Sequence, residues 1–241
     1  MMRQEIMLFK TLSEWKVCPA TTLDEQLSNF MDLLKTWNRK YNLTKIESDQ
    51  GIYYEHFYDS VIVFKFFPLN GDERLLDLGT GGGFPGIPIK LVRPQLDMVL
   101  LDSSFKKIWF LRKVIRGLNL HEISLCHARA EEIGHEMSHR EGYEVVTTRA
   151  LSSLAVLVEL AFPLMTIKGK LIAWKTADQL EREVKESEKA LNELGGEVLA
   201  VHYYQLPKLE KDRALVICQK NYPSPEKYPR KPGKPEKYPL I

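Results

Sequence analysis

The residues best placed to do chemistry form one short run, Leu75-Leu76-Asp77-Leu78-Gly79-Thr80-Gly81-Gly82-Gly83-Phe84-Pro85-Gly86. An apolar strand leads into closely spaced glycines and then into a helix. Glycine is needed where a backbone must turn tightly, take positive φ and approach a ligand closely. Twenty-five residues beyond Asp77, a second apolar run ends in Leu100-Leu101-Asp102. A carboxylate at that position can accept hydrogen bonds from both hydroxyls of an adenosine ribose. The pair predicts a cradle for an adenosine-bearing cofactor.

Two cofactors compete for it. Gly81-x-Gly83-x-x-Gly86 satisfies the dinucleotide fingerprint, and a dinucleotide-dependent oxidoreductase is the corresponding reading. Asp77 argues against it, because a carboxylate directly before the loop would face a pyrophosphate. S-adenosyl-L-methionine carries a sulfonium and an ammonium, so an acidic residue beside the loop suits it better. Further contacts are expected where loops leave the carboxyl ends of parallel strands. In Arg129-Ala130-Glu131-Glu132, the backbone of Ala130 and the carboxylate of Glu131 can read the adenine edge, or the acidic pair can simply serve a helix N-terminus. Arg149, in Thr147-Thr148-Arg149-Ala150, falls where substrate and methyl donor should meet, with a structural ion pair as the alternative. Lys175, after Trp174, falls beside the substrate phosphates or in a salt bridge.

The elements that must position these residues follow from periodicity. Leu23, Leu27, Phe30, Leu33, Leu34 and Trp37 recur at helical spacing behind Thr22, an expected N-cap. A second helical stretch spans Asp49 to Phe67 and stops at Pro68. Strands are expected at Arg74–Leu78, Met98–Asp102, Ile123–Cys126, Glu144–Thr148 and Lys170–Trp174. Helices at Gly86–Val92, Ser104–Leu118, Glu131–Met137, Leu154–Leu164 and Asp178–Leu194 alternate with them. This rhythm implies parallel pairing with right-handed crossovers. Glu197–Leu206 and Arg213–Gln219, joined by Pro207–Asp212, then read as an antiparallel hairpin. The fold class expected is α/β, a class I S-adenosylmethionine-dependent methyltransferase: a Rossmann-like doubly wound sheet with a C-terminal hairpin and an N-terminal helical extension. The divisions are residues 1–70, 71–220 and 221–241. The last segment holds six of the thirteen prolines, and five Lys or Arg against two Glu, so an extended tail that packs no core is expected.

Composition sets the outer limits. The chain has 241 residues, 44% hydrophobic and 27% charged, which excludes wholesale disorder. A net charge of +2 leaves a nucleic-acid partner to local charge distribution. Met1-Met2-Arg3-Gln4-Glu5 is followed by no apolar signal core, and the most apolar window, Leu151 to Ile167, is interrupted by Glu159 and Pro163. Cys18, Cys126 and Cys218 are odd in number and far apart, as in a reducing cytosol. A cytoplasmic protein with no membrane segment is expected.

His135-Glu136-Met137-Ser138-His139 matches the zinc-protease pattern H-E-x-x-H. Gly134 and Gly142 bracket it too closely for a sustained helix, so a solvated loop without metal is expected. Arg39 and Lys40, beside Trp37 and Tyr41, combine charge with stacking surface for RNA. Lys106, Lys107, Arg112, Lys113 and Arg116 form either a phosphate-binding face or a solvated one. Lys227, Arg230, Lys231, Lys234 and Lys237 on the tail are the stronger RNA candidates.

Asp77 through Pro88 resembles the loop of one bacterial family, the small-subunit rRNA methyltransferase G family, also called glucose-inhibited division protein B. Similar too are Leu101-Asp102-Ser103 with Lys106-Lys107, Arg129-Ala130-Glu131-Glu132, Thr148-Arg149-Ala150, Tyr41-Asn42-Leu43-Thr44 and the tail Tyr228-Pro229-Arg230-Lys231-Pro232-Gly233. The resemblance covers nearly the whole chain. It implies S-adenosyl-L-methionine as cofactor and methylation of N7 of guanine 527 in 16S rRNA. By the same resemblance Gly79, Phe84, Ala130, Glu131 and Arg149 match cofactor contacts, and Ser103 joins Asp102 there. N7 carries a free lone pair, so no general base is required, and Arg149 and Lys175 are expected to position and not to move protons. The expected partner is 16S rRNA or the small ribosomal subunit, with the protein a monomer. A non-catalytic ribosome-assembly factor retaining the fold remains a further alternative.

Overall fold

The computed structural model describes residues 8–209 and 211–241. Met1–Glu5, read above for a targeting signal, and residue 210 of the hairpin link lie outside them.

Helix α1 (Leu8–Glu14) and the long α2 (Leu23–Tyr41) open the chain. The apolar stripe of α2 is buried at Leu23, Leu27, Phe30, Met31 and Leu34. Thr22 precedes α2 but its side chain makes no capping bond, so the expected N-cap is corrected to a bare helix start. Asn42 ends α2 in the left-handed region at φ 50°, with its N–H on Asn38 O. The Asn38 side chain clamps the following turn: it donates to Thr44 O and accepts from Thr44 N–H, both at 2.9 Å. The second helical stretch is α3 (Asp49–Gly51), a π-helical segment (Ile52–Tyr58), α4 (Asp59–Val61) and α5 (Val63–Phe66).

Strands β1 (Arg74–Leu78), β2 (Asp97–Asp102), β3 (Ile123–His127), β4 (Tyr143–Arg149) and β5 (Met165–Thr176) alternate with α6 (Gly86–Val92), α7 (Phe105–Gly117), α8 (Ala130–Ile133) and α9 (Leu154–Ala161). The expected Asp178–Leu194 helix is two, α10 (Leu180–Glu186) and α11 (Glu188–Leu194). They are divided at Ser187, whose hydroxyl bonds back to Val184 O at 2.6 Å. The hairpin β6 (Gly196–Leu206) and β7 (Lys211–Lys220) completes one seven-stranded sheet of order β3-β2-β1-β4-β5-β7-β6. The first five strands pair in parallel, and β7 enters antiparallel between β5 and β6.

Each face of the sheet carries its own core. Residues of the N-terminal helices, including Leu27, Phe30 and Phe57, share one with α6, α7 and sheet residues such as Leu100 and Ile172. The helical extension is therefore half of a sandwich and not an appendage. On the other face α9 and α11 pack over Leu76, Val146 and Val216, and Tyr228 and Leu240 of the final segment join them. This corrects the expectation of an extended tail without a core: the segment folds back, turns at α12 (Lys234–Lys237) and buries Tyr228, Pro229, Pro235 and Leu240. Among the described residues no helix is long and apolar enough to cross a membrane.

Candidate active site

The glycine loop lies across the carboxyl ends of β1 and β2. Gly79 and Thr80 both donate their N–H to Leu101 O, at 2.9 and 3.0 Å. Gly81 N–H donates to Asp102 Oδ2 at 2.9 Å. Gly79, Gly81 and Gly83 take φ of 70°, 60° and 92°, where side chains are strained. A side chain at Gly81 would meet only Gly79 O, 3.9 Å away, so open room lies directly over the loop.

Asp77 sits beneath this loop with no exposed surface. Its carboxylate accepts from Gly86 N–H and from the Thr147 hydroxyl, each at 3.0 Å. Burial pushes its pKa up to about 6, against the opposing pull of those two bonds and the Arg149 charge. Asp77 thus fastens the loop to α6 and β4. A Cβ at Gly86 would stand 2.6 Å from its Oδ2, which explains glycine there.

Gly79, Asp102, Ser103, Ala130 and Glu131 all line one cavity at the carboxyl ends of β1 to β3. Leu78, Leu101, Val156 and Leu160 give it apolar walls. Asp102 accepts from Gly81 N–H, from Ser104 N–H at 2.8 Å and from Lys107 Nζ at 3.3 Å. A carboxylate has about four acceptor positions, and the half-exposed Lys107 is the replaceable partner. Glu131, 8% exposed, accepts from Gly233 N–H at 2.9 Å. A glycine cradle, a carboxylate at the end of β2 and apolar walls together fit an adenosine. The Phe84 ring anchors the far end of the loop in the helical core. It is buried among Phe30, Phe57 and His56, with ring centroids 5.3, 6.2 and 4.3 Å away.

A second, wider cavity is lined by His56 and Asp59, by Arg149 to Ser153 apart from Leu151, by Trp174 and Lys175 on β5, and by Arg213 on β7. Arg149 donates to Glu55 O at 2.9 Å, to Asp59 Oδ2 at 3.0 Å and to His56 Nδ1 at 3.0 Å. A guanidinium has no acceptor, so Nδ1 is unprotonated. Burial, with the Arg149 charge second, holds the His56 pKa down at about 3. Asp59 also receives the Tyr204 hydroxyl at 2.7 Å, and its carbonyl receives Trp174 Nε1 at 2.6 Å. Lys175 donates to Ser152 O at 2.6 Å and pairs with Glu183. Arg149 and Lys175 are therefore both in the structural ion pairs left open as alternatives, at the edge of this cavity. Ala150, directly after Arg149, takes φ 54°, a strained value for a residue with a Cβ. Ser152, two residues on, lines both cavities.

Leu151, Ser152 and Arg213 were not singled out from the sequence. The first two follow a strand end, the signal that pointed to Arg149. Arg213 is distant in the chain and reaches the cavity only through pairing opposite Thr176. Its Nε is buried without a hydrogen-bond partner.

Of the expected RNA contacts, Arg39, Lys40 and Lys106 are exposed, whereas Lys107 is held on Asp102. Trp37 and Tyr41 lie parallel at 5.8 Å, and Trp109 of α7 meets Trp37 edge-on at 4.8 Å. Lys40 and Lys113 sit over the Trp37 and Trp109 rings at 5.0 and 4.7 Å. Lys231 is exposed, whereas the Arg230 guanidinium clasps the fully buried Glu159 at 2.7 and 2.5 Å. His135 and His139 lie in turns, bonded to Pro229 O at 2.7 Å and to the Tyr143 hydroxyl at 2.5 Å. They do not share a helical face, and no group of three or more metal-binding side chains occurs among the described residues.

This sheet order, with the cradle at its carboxyl edge, defines an α/β class I methyltransferase. Solved structures agree on the fold: the M. jannaschii TYW2 complex with AdoMet is 14% identical with TM-score 0.52, covering 73% of this chain and 79% of that one. A predicted O-methyltransferase from Agrobacterium tumefaciens is 16% identical with TM-score 0.52, covering 70% and 81%. The sequence profile of the family described as rRNA small subunit methyltransferase G (GidB) matches residues 23–215, and the chain belongs to that family. Proteins named ribosomal RNA small subunit methyltransferase G from Bacillus subtilis (strain 168) and Staphylococcus epidermidis (strain RP62A) are 41% and 40% identical. The first alignment covers 90% of both chains and the second 97% of both. The oxidoreductase reading of the glycine loop gives way to this membership.

Proposed function

We propose that the protein transfers the methyl group of S-adenosyl-L-methionine to N7 of guanine 527 in 16S rRNA. The observation that carries this reading is the meeting of two cavities at Ser152, one suited to an adenosine and one wide enough for a base, in a chain of this family. When bound, S-adenosyl-L-methionine supplies an electrophilic methyl group. Asp102 holds the ribose hydroxyls, the Ala130 backbone and Glu131 bound the adenine end, and Gly79 lets the backbone come close. N7 needs no deprotonation, so the chain's task is in-line placement.

Arg149 and Lys175 act as positioning residues. Arg149 locks His56 and Asp59 against the end of β4, and Lys175 holds the Ser152 carbonyl, which fixes the strand-to-helix turn between donor and base. Arg213, which lines the wider cavity and pairs loosely with Glu55 at 3.9 Å, is a cation that the incoming nucleotide can meet. The Trp37-Tyr41-Trp109 cluster with Lys40 and Lys113, together with Arg39 and Lys106, forms the face that approaches RNA.

We read the protein further as cytoplasmic, in keeping with three free cysteines, and as a monomer. Methyl transfer from labelled S-adenosyl-L-methionine to 30S subunits and to naked 16S rRNA, followed by mapping of the base, tests the proposal. Label on a single guanine N7 supports it, and donor binding without transfer to either RNA form overturns it.

A further inference from the structure

The final segment does not behave as its composition suggests, and it ends against the donor cavity. Pro235 and Glu236 line that cavity. Gly233, at φ 79°, aims its N–H at Glu131 Oε1, 2.9 Å away. Two arginines hold the segment in place. Arg230 binds buried Glu159 through its guanidinium and its own N–H, the latter at 3.0 Å, and also donates to Tyr238 O at 2.7 Å. Arg140, from the turn before β4, donates to Tyr228 O at 2.8 Å and Ser224 O at 2.9 Å. A bidentate pair on a buried carboxylate is both strong and geometrically specific. Six prolines in the segment reduce the entropy lost on ordering it.

We infer that residues 228–240 are a donor-binding element, in which Gly233 orients Glu131 while Pro235 and Glu236 close the adenosine end of the cavity, with Arg230 and Arg140 as positioning residues. The inference rests on the donor cavity named under the proposed function. It reverses the RNA role expected of this segment. Linkage is reciprocal, so bound donor must in turn hold the segment down.

Calorimetric titration of S-adenosyl-L-methionine into the full chain and into Arg230→Ala, Arg230→Lys and Glu236→Lys provides the test, with steady-state kinetics alongside. Arg230→Ala should weaken donor affinity about tenfold or more, a loss of about 1.4 kcal/mol, and raise KM for the donor with KM for RNA unchanged. Arg230→Lys should recover part of this, because an ammonium can still meet Glu159. Glu236→Lys alters only an exposed wall residue and decides the matter if Arg230→Ala does not fold. Unchanged donor affinity in both Arg230→Ala and Glu236→Lys, or a loss confined to RNA, overturns the inference. Failure of the unsubstituted protein to bind donor instead removes the reading of the cavity on which it stands.

Discussion

Asp59 and Arg149, 90 residues apart in the chain, meet at 3.0 Å, with the guanidinium donating to Asp59 Oδ2. The contact ties the N-terminal helices to the carboxyl end of β4. Both groups are largely buried, with side chains 4% and 12% exposed. Asp59→Ala would leave Arg149 charged and unpaired, for which a loss of about 3–5 kcal/mol is expected. Urea unfolding should show it, with methyl transfer reduced further than stability alone explains.

Asp102 is the strongest candidate for holding the ribose. Asp102→Ala removes charge-assisted bonds of about 1.5–3 kcal/mol in total effect, so donor affinity by calorimetry should fall about 10- to 100-fold. Unchanged affinity would remove Asp102 from the donor site.

Asp77 and His56 predict opposing pH effects. Asp77 binds its proton more tightly folded, at about 6 against 3.8, so its contribution is full below 3.8 and is lost as pH rises through 6. His56 binds its proton more weakly folded, at about 3 against 6.5, so its contribution is present above 6.5 and is lost as pH falls toward 3. Asp77→Asn should therefore unmask a stability that climbs more steeply from pH 4 to 6 than in the unsubstituted protein. Parallel curves in denaturant titrations would contradict the assignment.

The aromatic and basic face makes a separable prediction. Trp37→Ala should weaken RNA binding by about 1–3 kcal/mol if a base stacks there. Lys40→Ala should lower the salt dependence of binding by about one phosphate contact. Donor affinity should stay unchanged in both, and filter binding across a salt series distinguishes them.

The glycine loop, Asp102 and the strand rhythm were legible because each is a local pattern: a backbone that must bend, a strand end, an apolar run of fixed length. What escaped was set by pairing across the chain. Nothing near Arg230 announces Glu159, 71 residues earlier, so a basic residue in a proline-rich stretch reads as an RNA contact. The contacts of the Phe84 ring with Phe30 and Phe57 join segments far apart in the chain, and no local pattern in the loop announces them. The place of Asp77 beneath the loop depends on Thr147, 70 residues later, which no local pattern announces. The role of Arg149 stays open in the sequence because its three partners lie 90 to 94 residues earlier.

Phe84 has one more consequence. A loop residue wedged among Phe30, Phe57 and His56 makes the cradle and the helices behind it a single cooperative unit. Amide protons of α2 should exchange with solvent in step with those of the loop. A donor touching only the loop should then slow deuterium uptake along a helix that it never reaches.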